Sequence, residues 1–471
     1  MANSKIVCFI CITKRKVDQR EQGKDMTLFS SIFRPSARLA VAISLGFSGS
    51  LLAAEPAFLQ PAQLAVVKQQ LAQHQAAQQT QEAYRQLLAA ADKALERPNL
   101  SVTDKGMTPP SGSKHDYLSL SAYWWADSSK PDGLPWVRKD GKVNPASKND
   151  QSDGVRLADF TARVQNLTLA WYFSGEQKYA DKAASLLRTW FINPETRMNP
   201  NLNFAQGVPG IAAGRNAGVL DGRYFSTRIV DSLVLLDGNA AWKKPDKEAM
   251  RQWMSEYLDW LQTNKLALKE SRTKNNHGNW YATQVAGIAW YLDQPEVVKK
   301  MVKLMKSKLD VQLMPDGTQP AELARTRSFH YSYFDLQAIS LMAVLAQKEG
   351  IDLWHYQTPR GGGILKSLDF MAKYTDDGQP WPYKSLDRIS VRPVTLLSWA
   401  DNATGQPRYQ QQIRSASFTL PAAAKSQKSG YHEDVSRGAI LEAQREIWLL
   451  TLPTWAKGFV APTPALKSSE G

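Results

Sequence analysis

The sequence predicts an all-α fold in which helical hairpins are set in a ring or a solenoid. Three observations carry that expectation. From Leu157 onward, apolar residues recur at helical spacing in one segment after another. The segments come in pairs, separated by alternating short and long breaks rich in Gly, Pro and Asn. Strand-like alternation is scarce over the same stretch. In such a ring the long loops gather on one face and build a cleft. No linker cuts residues 55–471, which read as a single domain.

The first 54 residues stand apart from that domain. Residues 1–25 read as an upstream extension before Met26. From Met26, Arg34 and Arg38 precede an apolar run from Leu39 to Leu52, and Ala53-Ala54 precede Glu55-Pro56. Residues 26–54 therefore read as a secretory signal peptide cleaved near Ala54, which places the mature protein in the periplasm or outside the cell. The apolar run is short and rich in Gly and Ser, so stable membrane insertion is not expected.

Pro61 to Leu95 is rich in Ala, Gln and Leu at helical spacing, and reads as one or two helices ending before Arg97-Pro98. Residues 100–155 hold no period. Long irregular stretches in compact proteins are usually functional. Tyr123, Trp124 and Trp125 lie here, and could stack on sugar rings or anchor the loop in the core. Asn149 to Gly154 reads as a surface loop. Leu157–Ser174 and Tyr179–Phe191 form a hairpin about Gly175-Glu176. A second irregular stretch, 194–222, precedes Tyr224–Leu236 and Lys247–Asn264. Asn279–Leu292 with Glu296–Leu313, and Tyr333–Lys348 with Ile364–Tyr374, make further pairs. More helices are expected at Val391–Trp399, Pro407–Ala416 and Gly438–Leu450.

Composition narrows the function classes. The chain has 471 residues, 22% charged, and a formal charge of +14. Part of that charge lies in the leader, which holds eight Lys/Arg against three Asp/Glu up to Ala54. A basic protein gathers anionic ligands, among them nucleic acids and acidic glycans. No nucleic-acid-binding motif is present. Both cysteines, Cys8 and Cys11, precede the mature chain, so it has no disulfide or thiol nucleophile. The six histidines are scattered without metal-ligand spacing, there is no P-loop, and Gly361-Gly362-Gly363 lacks the context of a dinucleotide fingerprint. No metal or cofactor is expected.

Two stretches concentrate chemistry. Lys274-Asn275-Asn276-His277-Gly278-Asn279-Trp280-Tyr281 opens one helical pattern, and Glu322 to Tyr333 leads into another. Together they offer an amide, an imidazole, a guanidinium and a phenol, a set suited to removing a proton beside a carboxylate. His277, Trp280 and Gln284 share a helix face. Gly278 leaves the backbone beside His277 open to a ligand. Taken singly, each residue has an ordinary explanation. Asn275 or Asn276 could be an N-cap, Arg325 could pair with Glu322 three residues away, and Tyr331 and Tyr333 could simply pack. Asp116, Asp127, Asp221, Glu322 and Asp335 are carboxylates that a hydrolase could use.

Three segments resemble the alginate lyase superfamily of polysaccharide lyases. They are Asn275-Asn276-His277, the run Glu322-Leu323-Ala324-Arg325-Thr326-Arg327-Ser328-Phe329-His330-Tyr331-Ser332-Tyr333, and Asp116-Tyr117 through Tyr123-Trp124-Trp125. The resemblance is closer to the subgroup acting on glucuronan as well as alginate. The alginate-specific group typically reads Asn-Asn-His-Ser-Tyr-Trp where this chain has Asn-Asn-His-Gly-Asn-Trp, which leaves the uronate open. The resemblance implies an (α/α) toroid, an incomplete barrel of helical hairpins, acting on an acidic polysaccharide by β-elimination without a metal. By similarity, Asn276 and Arg325 neutralise the substrate carboxylate. Tyr331 protonates the leaving oxygen, and also removes the C5 proton where both lie on one side of the ring. His277 acts as base on the opposite face or holds Tyr331 ready. Tyr123, Trp124, Trp125, Gln165, Asn166, Arg215, Trp280 and Tyr333 are the candidate substrate-binding residues, Tyr333 also standing in for Tyr331 if the register differs by two. A toroidal glycoside hydrolase using two carboxylates, or an exported glycan-binding protein, are the competing readings.

Overall fold

A computed structural model describes residues 54–420 and 430–462. The signal-peptide segment from Met26 and both cysteines lie outside these residues. The first helices are α1 (Pro61–Ala72) and α2 (Gln78–Glu96). Arg97 is extended, as a residue before proline must be, and α2 stops there. The next are α3 (Asp153–Ser174) and α4 (Gln177–Leu187), joined through Gly175 at φ 75°. Then follow α5 (Val230–Leu235), α6 (Lys244–Thr263), α7 (Lys265–Ser271), α8 (Asn276–Tyr291) and α9 (Pro295–Gln312). The chain continues through α10 (Pro320–Leu323), α11 (Ser328–Lys348), α12 (Ile364–Ala372), α13 (Arg392–Thr404), α14 (Gln410–Ser415) and α15 (Gly430–Arg445).

The packing order closes a ring. α3 lies against the segment leading into α5, that segment against α8, α8 against α11, α11 against α13, and α13 against α15. α15 then packs on α2, which returns to α3. α4 lies against α3, α9 against α8, and α12 against both α11 and α13. This is the toroid of hairpins that the sequence led us to expect, with α2 completing the circle. The ring helices α8 and α11 are buried on nearly every face, which explains their weak amphipathic pattern. Both begin earlier than periodicity suggested, because His277 and Tyr331 occupy polar first turns that carry no apolar period.

The two irregular stretches meet each other. β1 (Leu118–Leu120) runs parallel to β4 (Phe204–Gly207), and β2 (Trp124–Trp125) pairs antiparallel with β3 (Val137–Arg138). The base of this region is a buried ion pair. Lys105 Nζ lies 2.9 Å from Asp153 Oδ2 with both side chains fully enclosed, and Asp153 also accepts from the Leu118 amide at 3.0 Å. The surface-loop reading of Asn149 to Gly154 holds for Asn149, Asp150 and Gln151, which are exposed, and is corrected beyond them: Ser152 and Asp153 are interior, Ser152 at the N-cap and Asp153 as the first residue of α3.

At its N-terminal side the described chain is tied down. The Asp231 carboxylate accepts from the amides of Ala57, Phe58 and Leu59 at 2.5, 3.0 and 2.9 Å. Trp290 Nε1 donates to the Glu55 carbonyl at 2.8 Å.

Candidate active site

The α7–α8 turn sets up His277. Asn275 caps α8, its side chain accepting from the His277 amide at 3.2 Å. Asn276, the next residue, is buried. Its backbone amide and its Nδ2 donate to the two oxygens of Glu322 at 2.7 and 2.8 Å, while its Oδ1 has no partner. One Nδ2 hydrogen is thereby committed to Glu322 and the other is free. Burial, opposed by the bonds from Asn276, raises the Glu322 carboxyl above its ordinary range. His277 is one-fifth exposed, and its Nδ1 lies 2.5 Å from Glu270 Oε1. Its Nε2 is thus the ring nitrogen left for a substrate.

Gly278 corrects one expectation. A Cβ there would sit 2.3 Å from the Thr273 carbonyl and 2.6 Å from Lys308 Nζ, so the space is filled by protein and not open to a ligand. Lys308 donates to the Ser271 and Thr273 carbonyls, 2.7 Å each, and locks the turn that aims His277. Of the face shared with His277, Trp280 is buried with Nε1 on the Phe334 carbonyl at 3.1 Å. Gln284 is bonded to Tyr257 at 2.5 Å.

The link between α10 and α11 carries the second half. Arg325 is on that link, and Tyr331 is in the first turn of α11. The Arg325 guanidinium lies 3.8 Å from the centre of the Tyr331 ring, a cation–π contact. Its ionic partner is Asp140, at 2.9 Å from Nη2 and 3.3 Å from Nε, and not Glu322. Burial disfavours the charged form of Asp140, but the bonds from Arg325 outweigh it and hold this carboxyl below the usual range. Asp140 also accepts from Thr326 Oγ1 at 3.0 Å, so the hairpin of β2 and β3 is fastened to this link.

Tyr123 comes from the same hairpin. The Tyr331 hydroxyl donates to the Tyr123 hydroxyl at 3.1 Å, and Arg327 Nη1 donates to Tyr123 at 3.2 Å. Arg327 is itself paired with Asp387, Nε to Oδ1 at 2.9 Å. Burial and then the neighbouring Tyr123 raise the Tyr331 phenol well above its ordinary value, despite the opposing arginines. Tyr331 is therefore a neutral proton donor near neutral pH.

The other expected residues fall into two groups. Trp124 faces Arg215, 5.6 Å from ring centre to guanidinium carbon, and Arg215 donates to Ser121 Oγ at 2.7 Å. Trp125 lies under Lys139 at 5.4 Å and donates to the Lys142 carbonyl at 3.0 Å. Both tryptophans are half-buried, so they anchor the hairpin and still present ring surface. Gln165, Trp280 and Tyr333 are not with Tyr331; they line a cavity on the ring axis. Tyr333 lies against Arg392 there, so it does not replace Tyr331. Asn166 accepts from Arg445 Nη1 at 2.9 Å and is tied to the end of α15.

A scan against family models matches the alginate lyase family over residues 101–381. Among solved structures, an alginate lyase from Bacteroides ovatus is 35% identical, with a TM-score of 0.73, covering 78% of this chain and 97% of that one. The chain belongs to the alginate lyase family. It is a polysaccharide lyase. Alginate lyase A1-III from Sphingomonas species A1 is also similar, at 14% identity and a TM-score of 0.47, covering 75% of this chain and 91% of that one. A tetrasaccharide complex of an A1-III variant matches at 14% identity and a TM-score of 0.48, over 73% and 87%. No curated protein matches the chain.

Within this alginate lyase family member, the carboxylates a hydrolase would need are committed elsewhere. Asp116 accepts from Ser111 and Asn199, Asp221 from Tyr117, Ser119 and Gln206, and Asp335 from Asn279. Asp127 accepts from Ser129 in its own turn. Sequence reasoning missed several groups. Glu270, Asn216 and Asp140 lie in segments with no motif. Arg327 stood within the recognised run without a role. The axial cavity, about 230 Å³, adds Arg223, Arg228, Arg392 and His330, with Glu442 and Glu446 on the wall and Phe58 and Leu59 among its lining. Arg392 Nη1 lies 2.9 Å from His330 Nδ1; since Arg only donates, His330 carries its proton on Nε2. Burial, then Arg327 and Arg392, keep His330 neutral by lowering it well below its ordinary value.

Among the described residues no group of three His, Cys, Asp or Glu side chains could hold a metal, and no helix is long and apolar enough to cross a membrane.

Proposed function

We propose that this lyase cleaves a 1,4-linked polyuronate, alginate or glucuronan, at the cluster of Asn276, His277, Arg325 and Tyr331. The observation that carries the reading is the complementary protonation of its two ends. His277 keeps Nε2 free, while Tyr331 is held as a neutral phenol beside a guanidinium. A base and an acid of that kind serve β-elimination. His277 Nε2 takes H5, the C5–H electron pair becomes the C4–C5 double bond, and O4 leaves with the Tyr331 proton. Arg325 meets the uronate carboxylate and the charge that develops on it, while Asn276, enclosed and bonded to Glu322, supports this end of the site from within. The first turn of α8 adds the positive end of its helix dipole. The name of the Bacteroides ovatus relative, an alginate lyase, supports the substrate class.

The stereochemistry divides the substrates. In 1,4-linked D-mannuronate and D-glucuronate, H5 and O4 lie on one face of the ring. In L-guluronate they lie on opposite faces. A base and an acid on separate helices suit the opposite-face case. Same-face elimination at Tyr331 alone requires that its raised phenol first lose its proton. The sugar chain extends along Trp124 and Arg215 on one side and into the axial cavity on the other, where Gln165, Trp280 and Tyr333 meet it. Export through a signal peptide at residues 26–54 places the enzyme where such glycans occur. His277→Ala and Tyr331→Phe test the site. Each is expected to lower kcat by about 10²–10⁴-fold with the fold intact, the usual contribution of a general acid or base. Full turnover in both would refute the assignment.

A further inference from the structure

We infer that Glu270 is the positioning residue that makes His277 a base, with Asn216 holding Glu270 in turn. The inference rests on the proposed role of His277 and goes beyond it.

Glu270 closes α7 and is 1% exposed. Burying a carboxylate is costly unless a cation or several donors compensate it. Among the described residues no Lys or Arg lies within ion-pair distance of Glu270. The nearby Lys308 is engaged with the Ser271 and Thr273 carbonyls. Its only side-chain partners among the described residues are His277 Nδ1 on Oε1 at 2.5 Å and Asn216 Nδ2 on Oε2 at 2.6 Å. A packing role does not call for a buried carboxylate in that place. Orientation of an imidazole does.

The geometry fixes the tautomer. An ionised carboxylate only accepts, so the short contact puts the proton on His277 Nδ1. The lone pair is then on Nε2, which has no partner among the described residues. When Nε2 takes H5, the imidazolium that forms lies beside the Glu270 carboxylate, which stabilises it without moving. Asn216 donates to the second oxygen and prevents the carboxylate from rotating away. Asn216 directly follows Arg215, which faces Trp124, so the same short segment joins the aromatic hairpin to the base.

Glu270→Gln keeps size and shape but can present an N–H to Nδ1, which favours the tautomer with its proton on Nε2. By analogy with other carboxylate–imidazole pairs, kcat on poly-guluronate should fall about 10²–10⁴-fold, with KM little changed. Asn216→Ala should act in the same direction and less. In a His277→Ala background, Glu270→Gln should cost nothing further, whereas a structural role would cost the same in both backgrounds. The tautomer is read without any substrate, by long-range proton–nitrogen correlation spectra of the imidazoles. His277 is assigned by its loss in His277→Ala. The expected result is a proton on Nδ1 in the wild type and a shift toward Nε2 in Glu270→Gln. Wild-type kcat in a folded Glu270→Gln, or a wild-type His277 with its proton on Nε2, would overturn the inference. If Glu270→Gln fails to fold, the wild-type spectrum and Asn216→Ala still decide. Full turnover in His277→Ala would instead refute the base assignment, and the spectra would still report on Glu270.

Discussion

Replacing Glu322 with Ala strips Asn276 of the acceptor for two of its donors. The Asn276 backbone amide and Nδ2 both end on the Glu322 carboxylate, at 2.7 and 2.8 Å, and both residues are fully buried. No water can reach them in their place without a cavity. Each buried donor left unpaired costs about 1–3 kcal/mol, so the two together cost about 2–6 kcal/mol. The loss of packing atoms adds to this. One term works the other way: burial raises the Glu322 carboxyl, so its charged form is itself unfavourable in the folded state. A group whose folded pKa is raised binds its proton more tightly when folded. Stability from Glu322 is therefore greatest in acid and declines as pH rises from its unfolded value through its folded one. Glu322→Gln keeps one carbonyl acceptor and cannot ionise. It should cost about 1–2 kcal/mol, and that cost should shrink or vanish as the pH is raised above the folded value. Urea denaturation followed by far-ultraviolet circular dichroism, at about pH 5 and about pH 8, measures both variants. Activity should drop in each, since Asn276 loses its fixed orientation. A Glu322→Ala protein as stable as wild type would refute the claim that this carboxylate holds Asn276.

Further expectations follow from single contacts. Tyr123→Phe removes the acceptor of the Tyr331 hydroxyl and the partner of Arg327 Nη1, and should lower kcat by about 10–100-fold while leaving the melting temperature nearly unchanged, checked by initial rates and a thermal melt. Gly278→Ala forces a Cβ against the Thr273 carbonyl and Lys308; overpacking of this kind costs about 1–3 kcal/mol, visible as a lower urea midpoint, and should displace His277 and reduce turnover. Glu446, at the axial cavity, is raised to about 7, chiefly by burial and further by Glu442, against the pull of Arg445. Its folded pKa lies above its ordinary value, so it destabilises the fold as pH rises through neutrality; Glu446→Gln should flatten the melting temperature against pH over that window.

The ring of hairpins was legible because helices such as α4, α9 and α12 keep one apolar face and short turns carry their own residues, as at Gly175. Boundaries were less legible at the proposed site. His277 and Tyr331 stand in first turns whose polar side chains break the apolar period, so α8 and α11 seemed to start later than they do. The four residues proposed as the site, Asn276, His277, Arg325 and Tyr331, stand in two short runs of sequence. Its supports were not. Asp140 lies 185 positions from Arg325 and Glu270 forms a pair across a turn that no motif marks. Arg325 beside Glu322 suggested a local ion pair, and tertiary packing chose Asp140 and Asn276 instead. Gly278 suggested an opening for a ligand, but it admits Lys308. Such partners depend on which loops the fold brings together, and spacing along the chain does not encode that. The axial cavity is the same case: Arg223 and Arg228 come from the helical segment leading into α5 and Arg392 from α13, and these meet only once the ring has closed.

The most direct measurement is the ultraviolet absorbance of the conjugated C4–C5 double bond. Purified protein from Glu55 onward would be given poly-mannuronate, poly-guluronate and glucuronan in parallel, with and without chelator. A steady rise is expected on at least one of them, undiminished by chelator and about 10²–10⁴-fold slower in Tyr331→Phe. New reducing ends with no rise in absorbance would mean hydrolysis, and would contradict it.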